Sequence, residues 1–226
     1  MPRHTTAAQS ALSLYKVLKD AHPDADCALN HKSVFELLVA VVLSAQTTDL
    51  AVNKAIVGLF ERYPDPVALS LAPLLEVEAC LRTIGMYRQK AKNIVGLAKI
   101  IADKHQGQVP RKLDELLELP GVGRKTANVV LGVGYGIAEG VVVDTHVQRL
   151  AQRLGFTRET TPERIEEDLR RLFPKDIWIE LSHVLIFHGR RYCSARAPGC
   201  ETCPVTSMCP SSGEAELVGR KPKKAR

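Results

Sequence analysis

Leu119-Pro120-Gly121-Val122-Gly123-Arg124-Lys125-Thr126-Ala127 is the stretch on which the fold of this chain turns. An apolar helical face carrying Leu113, Leu116 and Leu117 runs out near Leu119, and a second helix opens near Arg124. Gly121 and Gly123 permit a tight turn and the close approach of another backbone. Free backbone N–H groups at the start of the second helix, helped by the helix dipole, can hold a phosphate, which is the logic of a helix-hairpin-helix DNA module. Lys125 falls in the first turn beside Arg124. Local sequence leaves two readings for it, a surface lysine that binds phosphate and an amine placed for nucleophilic attack.

Working outward, most of the sequence reads as helices with short connections. Asp65-Pro66 is an N-cap followed by proline at the first helical position, and Thr160-Thr161-Pro162-Glu163 is a similar start signal. Between Arg88 and Lys104 the residues Ala91, Ile94, Val95, Ala98 and Ile101 recur at helical spacing, and Lys90, Lys92, Lys99 and Lys104 between them are expected on the solvated side. Residues 37–43 form a continuous apolar run and Val141-Val142-Val143 is β-branched, so periodicity cannot separate strand from helix at either place. Strand-turn-strand signals are otherwise scarce, and the fold class is all-α.

The 226 residues allow one large domain or two modest ones, with 45% hydrophobic and 25% charged residues, enough for a core without disulfides. Lys and Arg number 31 against 25 Asp and Glu, which suits a negatively charged partner, nucleic acid first. No run approaches the roughly 18 apolar residues of a membrane span, and no apolar run follows Arg3, so no membrane partner and a cytoplasmic setting are expected. From Ser211 the sequence is polar, and five of the last seven residues are Lys or Arg, which reads as a flexible basic tail over 211–226.

Cys193, Cys200, Cys203 and Cys209 stand in a C-x6-C-x2-C-x5-C pattern among polar, Gly and Pro residues. Four thiolates this close suit zinc or an iron–sulfur cluster, and the spacing fits no zinc signature in which both pairs are tight. Cys27 and Cys80 stand alone and read as small buried hydrophobes. Some twenty residues after the glycine turn comes Val143-Asp144-Thr145-His146. There Asp144 is either an N-cap or a carboxylate that works with Lys125.

Taken in order, these residues resemble the endonuclease III family. The segment from Leu119 to Asn128 is similar to its helix-hairpin-helix with the catalytic lysine, and Val143-Asp144-Thr145-His146 to its catalytic aspartate segment. The four cysteines have the spacing of its [4Fe–4S] ligands. Leu43-Ser44-Ala45-Gln46-Thr47-Thr48-Asp49 resembles the helix end whose glutamine enters the duplex, and Thr83-Ile84-Gly85-Met86-Tyr87 the loop that wedges the opposite strand, with Met86 where leucine is usual.

The resemblance implies a bifunctional DNA glycosylase/AP lyase of base excision repair. Such an enzyme removes oxidised pyrimidines from double-stranded DNA and nicks abasic sites by β-elimination through a Schiff base on Lys125, with Asp144 stabilising charge. It implies two helical domains flanking a DNA-binding cleft: a six-helix domain over 27–137 and a cluster domain over 1–26 and 138–210. It implies a [4Fe–4S] cofactor on Cys193, Cys200, Cys203 and Cys209, and a monomer in the bacterial cytoplasm, associated with the nucleoid. DNA contacts are expected from Gln46, Met86, Gly121, Gly123 and Arg124, and from Arg190, Arg191 and Arg196 near the cysteines. Two rival classes are a non-catalytic DNA-binding protein stapled by zinc, which leaves Lys125, Asp144 and Gln46 unexplained, and an electron-transfer iron–sulfur protein, which has no need of Lys125.

Overall fold

The computed structural model describes residues 7–219, and all regular structure among them is helical. The chain divides into two compact units, 27–139 and a discontinuous one formed by 1–26 with 140–226. No helix among the described residues is long and apolar enough to cross a membrane.

The 27–139 unit is built round α2 (Val34–Leu43), eight of whose ten residues are buried. A helix apolar on every side has no solvent face to offer, so it becomes the centre of the unit. That resolves the ambiguous 37–43 run as helix. Ser33 caps it, accepting the Glu36 N–H at 3.2 Å, while the Glu36 carboxylate accepts the Lys32 N–H at 2.6 Å. Around it lie α3 (Asp49–Arg62), α4 (Pro66–Ser70), α5 (Leu74–Cys80), α6 (Tyr87–Lys104), α7 (Leu113–Leu117) and α8 (Arg124–Val129). These make seven helices where six were expected, because Pro73 starts α5 and separates it from α4. Asp65 caps α4 with proline at its first position, as the sequence signals. Cys27 and Cys80 are half-buried against this core.

The α7–α8 hairpin is tied to the core by Leu119 and Val122, both buried. Gly121 turns the chain with φ +79, and a Cβ there would lie 2.8 Å from Asn93 Nδ2 and 3.1 Å from Val42 Cγ1. Gly123 differs. Its backbone is extended at φ −100 and a Cβ would meet nothing within 4 Å. α8 runs on into a π turn, Val130–Gly134.

The second unit consists of α1 (Ala7–Ala21), α9 (Thr145–Arg153), α10 (Pro162–Leu172) and α11 (Trp178–Arg191). α1 packs on α10 and α11. Tyr15 donates its hydroxyl to Glu180 at 2.5 Å, Lys19 pairs with the same carboxylate at 2.9 Å, and Leu14 and Leu18 are buried. The β-branched run at 141–143 forms neither helix nor strand. It is an irregular connection into α9, with the Val142 N–H donated to Ser182 Oγ at 3.0 Å. The stretch read as the start of a flexible tail is folded over 211–219. Ala215 and Ser211 are buried and the Val218 carbonyl is taken by Arg153, so a polar composition conceals a segment held by its backbone. The basic residues 220–226 lie outside the described residues.

The two glycines of the hairpin are thus expected to behave differently. Gly121→Ala combines a left-handed backbone with overpacking and should lower stability by roughly 2–4 kcal/mol in denaturant unfolding. Gly123→Ser, placed in open space and able to cap α8, should change it by less than about 0.5 kcal/mol.

Candidate functional site

In the 27–139 unit, Lys125 is the second residue of α8, exposed, with Arg124 exposed beside it. The helix start behind them has no side-chain cap, and Gly123 leaves its N–H groups uncovered by any Cβ. Such a start can hold an anion. Gln46 is exposed in the turn between α2 and α3, with φ 54. Met86 is the N-cap of α6, with φ 55 and 54% of its surface exposed. Left-handed backbone at a residue other than glycine costs about 1–3 kcal/mol and persists where the surroundings dictate it.

Lys90 corrects the sequence reading of α6. Lys92, Lys99 and Lys104 are exposed as expected, but Lys90 is buried at 4% exposure, and its Nζ donates to Thr47 Oγ1 at 2.6 Å. Burial pushes its amine below the ordinary lysine value.

In the other unit, Asp144 is the N-cap of α9. Its Oδ1 accepts the N–H groups of His146 and Val147, both at 2.8 Å, while Oδ2 takes no hydrogen bond among the described residues. The carboxylate is therefore fixed through one oxygen and open at the other. Further along α9 stand two arginines that sequence reasoning passed over. Arg149 donates to the Cys193 carbonyl at 3.0 Å and the Gly189 carbonyl at 3.1 Å. Arg153, fully enclosed, donates to the carbonyls of Ser194 at 2.7 Å, Ala195 at 3.0 Å and Val218 at 2.9 Å, and to Cys193 Sγ at 3.3 Å. A visible signal existed: the two sit at i and i+4 on α9 among its buried positions Val147, Leu150 and Ala151.

The four clustered cysteines line one pocket with His188 and Tyr192. Burial raises the Cys203 and Cys209 thiols above the usual range, and their cysteine neighbours raise them further. His188 is buried and its imidazole is pushed down to about 4, chiefly by burial. The hydrogen bonds around it fix a direction. Arg191 can only donate, so His22 Nδ1 (3.4 Å) accepts. His22 Nε2–H then donates to His188 Nδ1 at 3.1 Å, and His188 Nε2–H points to Cys203 Sγ at 3.5 Å. Arg191, expected on DNA, is itself held by Asp24 through two bonds of 2.8 and 2.6 Å. Arg190 and Arg196 are exposed, the first in the last turn of α11 and the second in the loop between Cys193 and Cys200.

Residues 39–175 match the HhH-GPD superfamily of base excision DNA repair proteins. The endonuclease III of Synechocystis sp. is 48% identical over 204 residues, 90% of this chain and 93% of that relative. The chain belongs to the endonuclease III family. Its relative of that name from Escherichia coli K12 is 41% identical over 88% of this chain and 93% of its own. Among solved structures, a trapped covalent endonuclease III–DNA intermediate has a TM-score of 0.85 at 44% identity, covering 93% of this chain and 97% of its own. A non-covalent endonuclease III–DNA complex gives the same TM-score at 45% identity, over 94% and 97%. A thermostable thymine-DNA glycosylase, at 22% identity and TM-score 0.79, shares the fold.

In this family member Arg153 should be indispensable to the cysteine-bearing unit. Arg153→Met would leave three carbonyls without the donor that the enclosed guanidinium supplies, and is expected to cost about 3–5 kcal/mol. Unfolding followed by fluorescence of Trp178, the single tryptophan, reports on that unit. A midpoint unchanged from wild type would show that the loop is held by other means.

Proposed function

We propose that this DNA glycosylase and AP lyase removes oxidised pyrimidines from duplex DNA and cuts the strand through Lys125, with Asp144 as its electrostatic partner. The observation that carries the reading is the exposed amine of Lys125, one residue inside a helix start that Gly123 leaves bare of side chains. A phosphate held on those N–H groups would bring deoxyribose to the amine. One chain carries both reacting groups, so the proposal is of a monomer.

The chemistry follows from the groups. The damaged nucleotide leaves the stack, because its glycosidic bond is out of reach inside the duplex. Gln46 fills the gap and Met86 supports the orphaned partner base. The uncharged Lys125 amine attacks C1′ and the C1′–N bond to the base breaks. Asp144, through Oδ2, stabilises positive charge developing on the sugar and assists proton transfer. Loss of the amine proton and opening of the ring give a Schiff base, which acidifies C2′–H. Removal of that proton expels the 3′ phosphate. Arg124, Arg190 and Arg196 neutralise backbone phosphates in this reading, and the bacterial origin of the relatives supports a cytoplasmic, nucleoid-associated setting.

We also propose that Cys193, Cys200, Cys203 and Cys209 hold a [4Fe–4S] cluster. Two observations support the fit. The thiols line one pocket, and burial, with the neighbouring cysteines, disfavours bare thiolates at Cys203 and Cys209. A donor set of four sulfurs suits an iron–sulfur cluster. When bound, the cluster supplies iron–thiolate bonds that cross-link the loop, and no step of the reaction passes through it.

Wild-type protein with borohydride and an abasic duplex should give a covalent adduct. Lys125→Gln should abolish adduct and cleavage while DNA binding persists, since phosphate contacts supply most of the affinity. Normal trapping by Lys125→Gln would assign the nucleophile to another amine. Asp144→Asn keeps the Oδ1 cap and removes the charge, so base excision should fall by roughly 10²–10³ with adduct formation on abasic DNA partly retained. Elemental analysis should find iron and acid-labile sulfide and little zinc; one zinc per chain with no iron would overturn the cluster assignment.

A further inference from the structure

Lys90 is at odds with its surroundings. A lysine is almost never fully buried without a partner of opposite charge, yet here the amine is enclosed and its hydrogen bond goes to a hydroxyl, Thr47 Oγ1 at 2.6 Å. It also stands in the first turn of α6, where the helix dipole opposes a cation. Core stability alone is a poor reason to keep such a group, because a methionine would fill the same space without the desolvation cost.

What the side chain and backbone of Lys90 touch supplies a reason. Its main-chain N–H donates to the Met86 carbonyl at 3.1 Å, closing the first turn on a residue whose φ is 55. Its Nζ holds Thr47, the residue after Gln46, whose φ is 54. Gln46 and Met86 are two of the three residues other than glycine with positive φ among those described, and both present their side chains to solvent. Single residues kept in a costly conformation need surroundings that dictate it. One lysine ties together the two turns that carry them. At the Gln46 end the turn has a second hold, the Thr47 N–H on the Ser44 carbonyl at 3.0 Å, so fixing Thr47 fixes the backbone on one side of Gln46.

We propose that Lys90 is the positioning residue that locks the Gln46 turn to the Met86 turn, so that the two side chains enter the duplex as one preformed unit. The proposal rests on the reading of Gln46 and Met86 as the residues that enter DNA.

The test is a set of double-mutant cycles, read as Kd for a duplex carrying a tetrahydrofuran abasic analogue, which binds but cannot form a Schiff base. In wild-type protein Gln46→Ala and Met86→Ala should each weaken binding, with a combined effect at least about threefold away from the product of the single effects, a coupling expected of residues that act together. In the Thr47→Val background, where Lys90 is intact but has lost its acceptor, the two effects should become independent. In Thr47→Ser, which keeps the hydroxyl, the coupling should return. Lys90→Met should match Thr47→Val, and should weaken binding of the abasic analogue about tenfold while leaving undamaged duplex within about twofold. A merely structural tie would weaken both duplexes alike and leave the coupling unmoved. If Gln46→Ala and Met86→Ala weaken binding independently in wild type, or stay coupled in Thr47→Val, the role of Lys90 is overturned while the duplex-entering reading stands. If neither single substitution affects binding, that reading fails, and the proposal with it.

Discussion

The enclosed guanidinium of Arg153 is the constraint on which the cysteine-bearing unit depends. A charge shut away from water is costly unless its N–H groups find acceptors, and Arg153 places four of its five on three carbonyls and the Cys193 sulfur rather than on a carboxylate. Because those carbonyls belong to residues 194, 195 and 218, satisfying one side chain folds two segments with no helix of their own worth naming. Arg149, one turn earlier on α9, does the same for residues 189 and 193. Asp144 caps α9. A single nine-residue helix therefore carries the carboxylate at its start and the organisers of the cysteine loop along its length.

In the other unit the corresponding constraint is apolar. α2 has no solvent face, and the hairpin carrying Lys125 is seated against it by Val122 and by Gly121 with Val42 close behind. Burying the hairpin's apolar residues leaves the opposite side, with Gly123, outward. The exposure of Lys125 follows from how the turn is packed, with no dedicated contact needed to produce it.

Much of this was legible in the sequence because it is written in local signals. The helix starts at Asp65 and Thr161, the α6 face, the glycine hairpin and the cysteine spacing need only neighbours within a few residues. What was not legible depends on distant partners. Lys90 looks solvated because α6 is periodic around it, and only the position of Thr47, 43 residues earlier, reveals its burial. The spacing of α9 places Arg149 and Arg153 among buried positions but does not reveal the distant carbonyls that satisfy them. Residues 211–219 look like tail because they are polar, whereas their order comes from a backbone oxygen at Val218, which composition does not register. The π turn after α8 has no residue signature at all, since it concerns hydrogen-bond register.

The discontinuous unit sets a timetable for synthesis. Residues 27–139 contain all the helices of their own core and can close as soon as they have emerged from the ribosome. α1 is made before that unit yet cannot bury Leu14 and Leu18 until α10 and α11, its packing partners, are made some 150 residues later. During that interval its apolar stripe faces water, and the hydroxyl of Tyr15 waits for a carboxylate, Glu180, that has not yet been translated. A helix made early is thus among the last to find its place, and until then it is the part of the nascent protein open to chaperones and to aggregation.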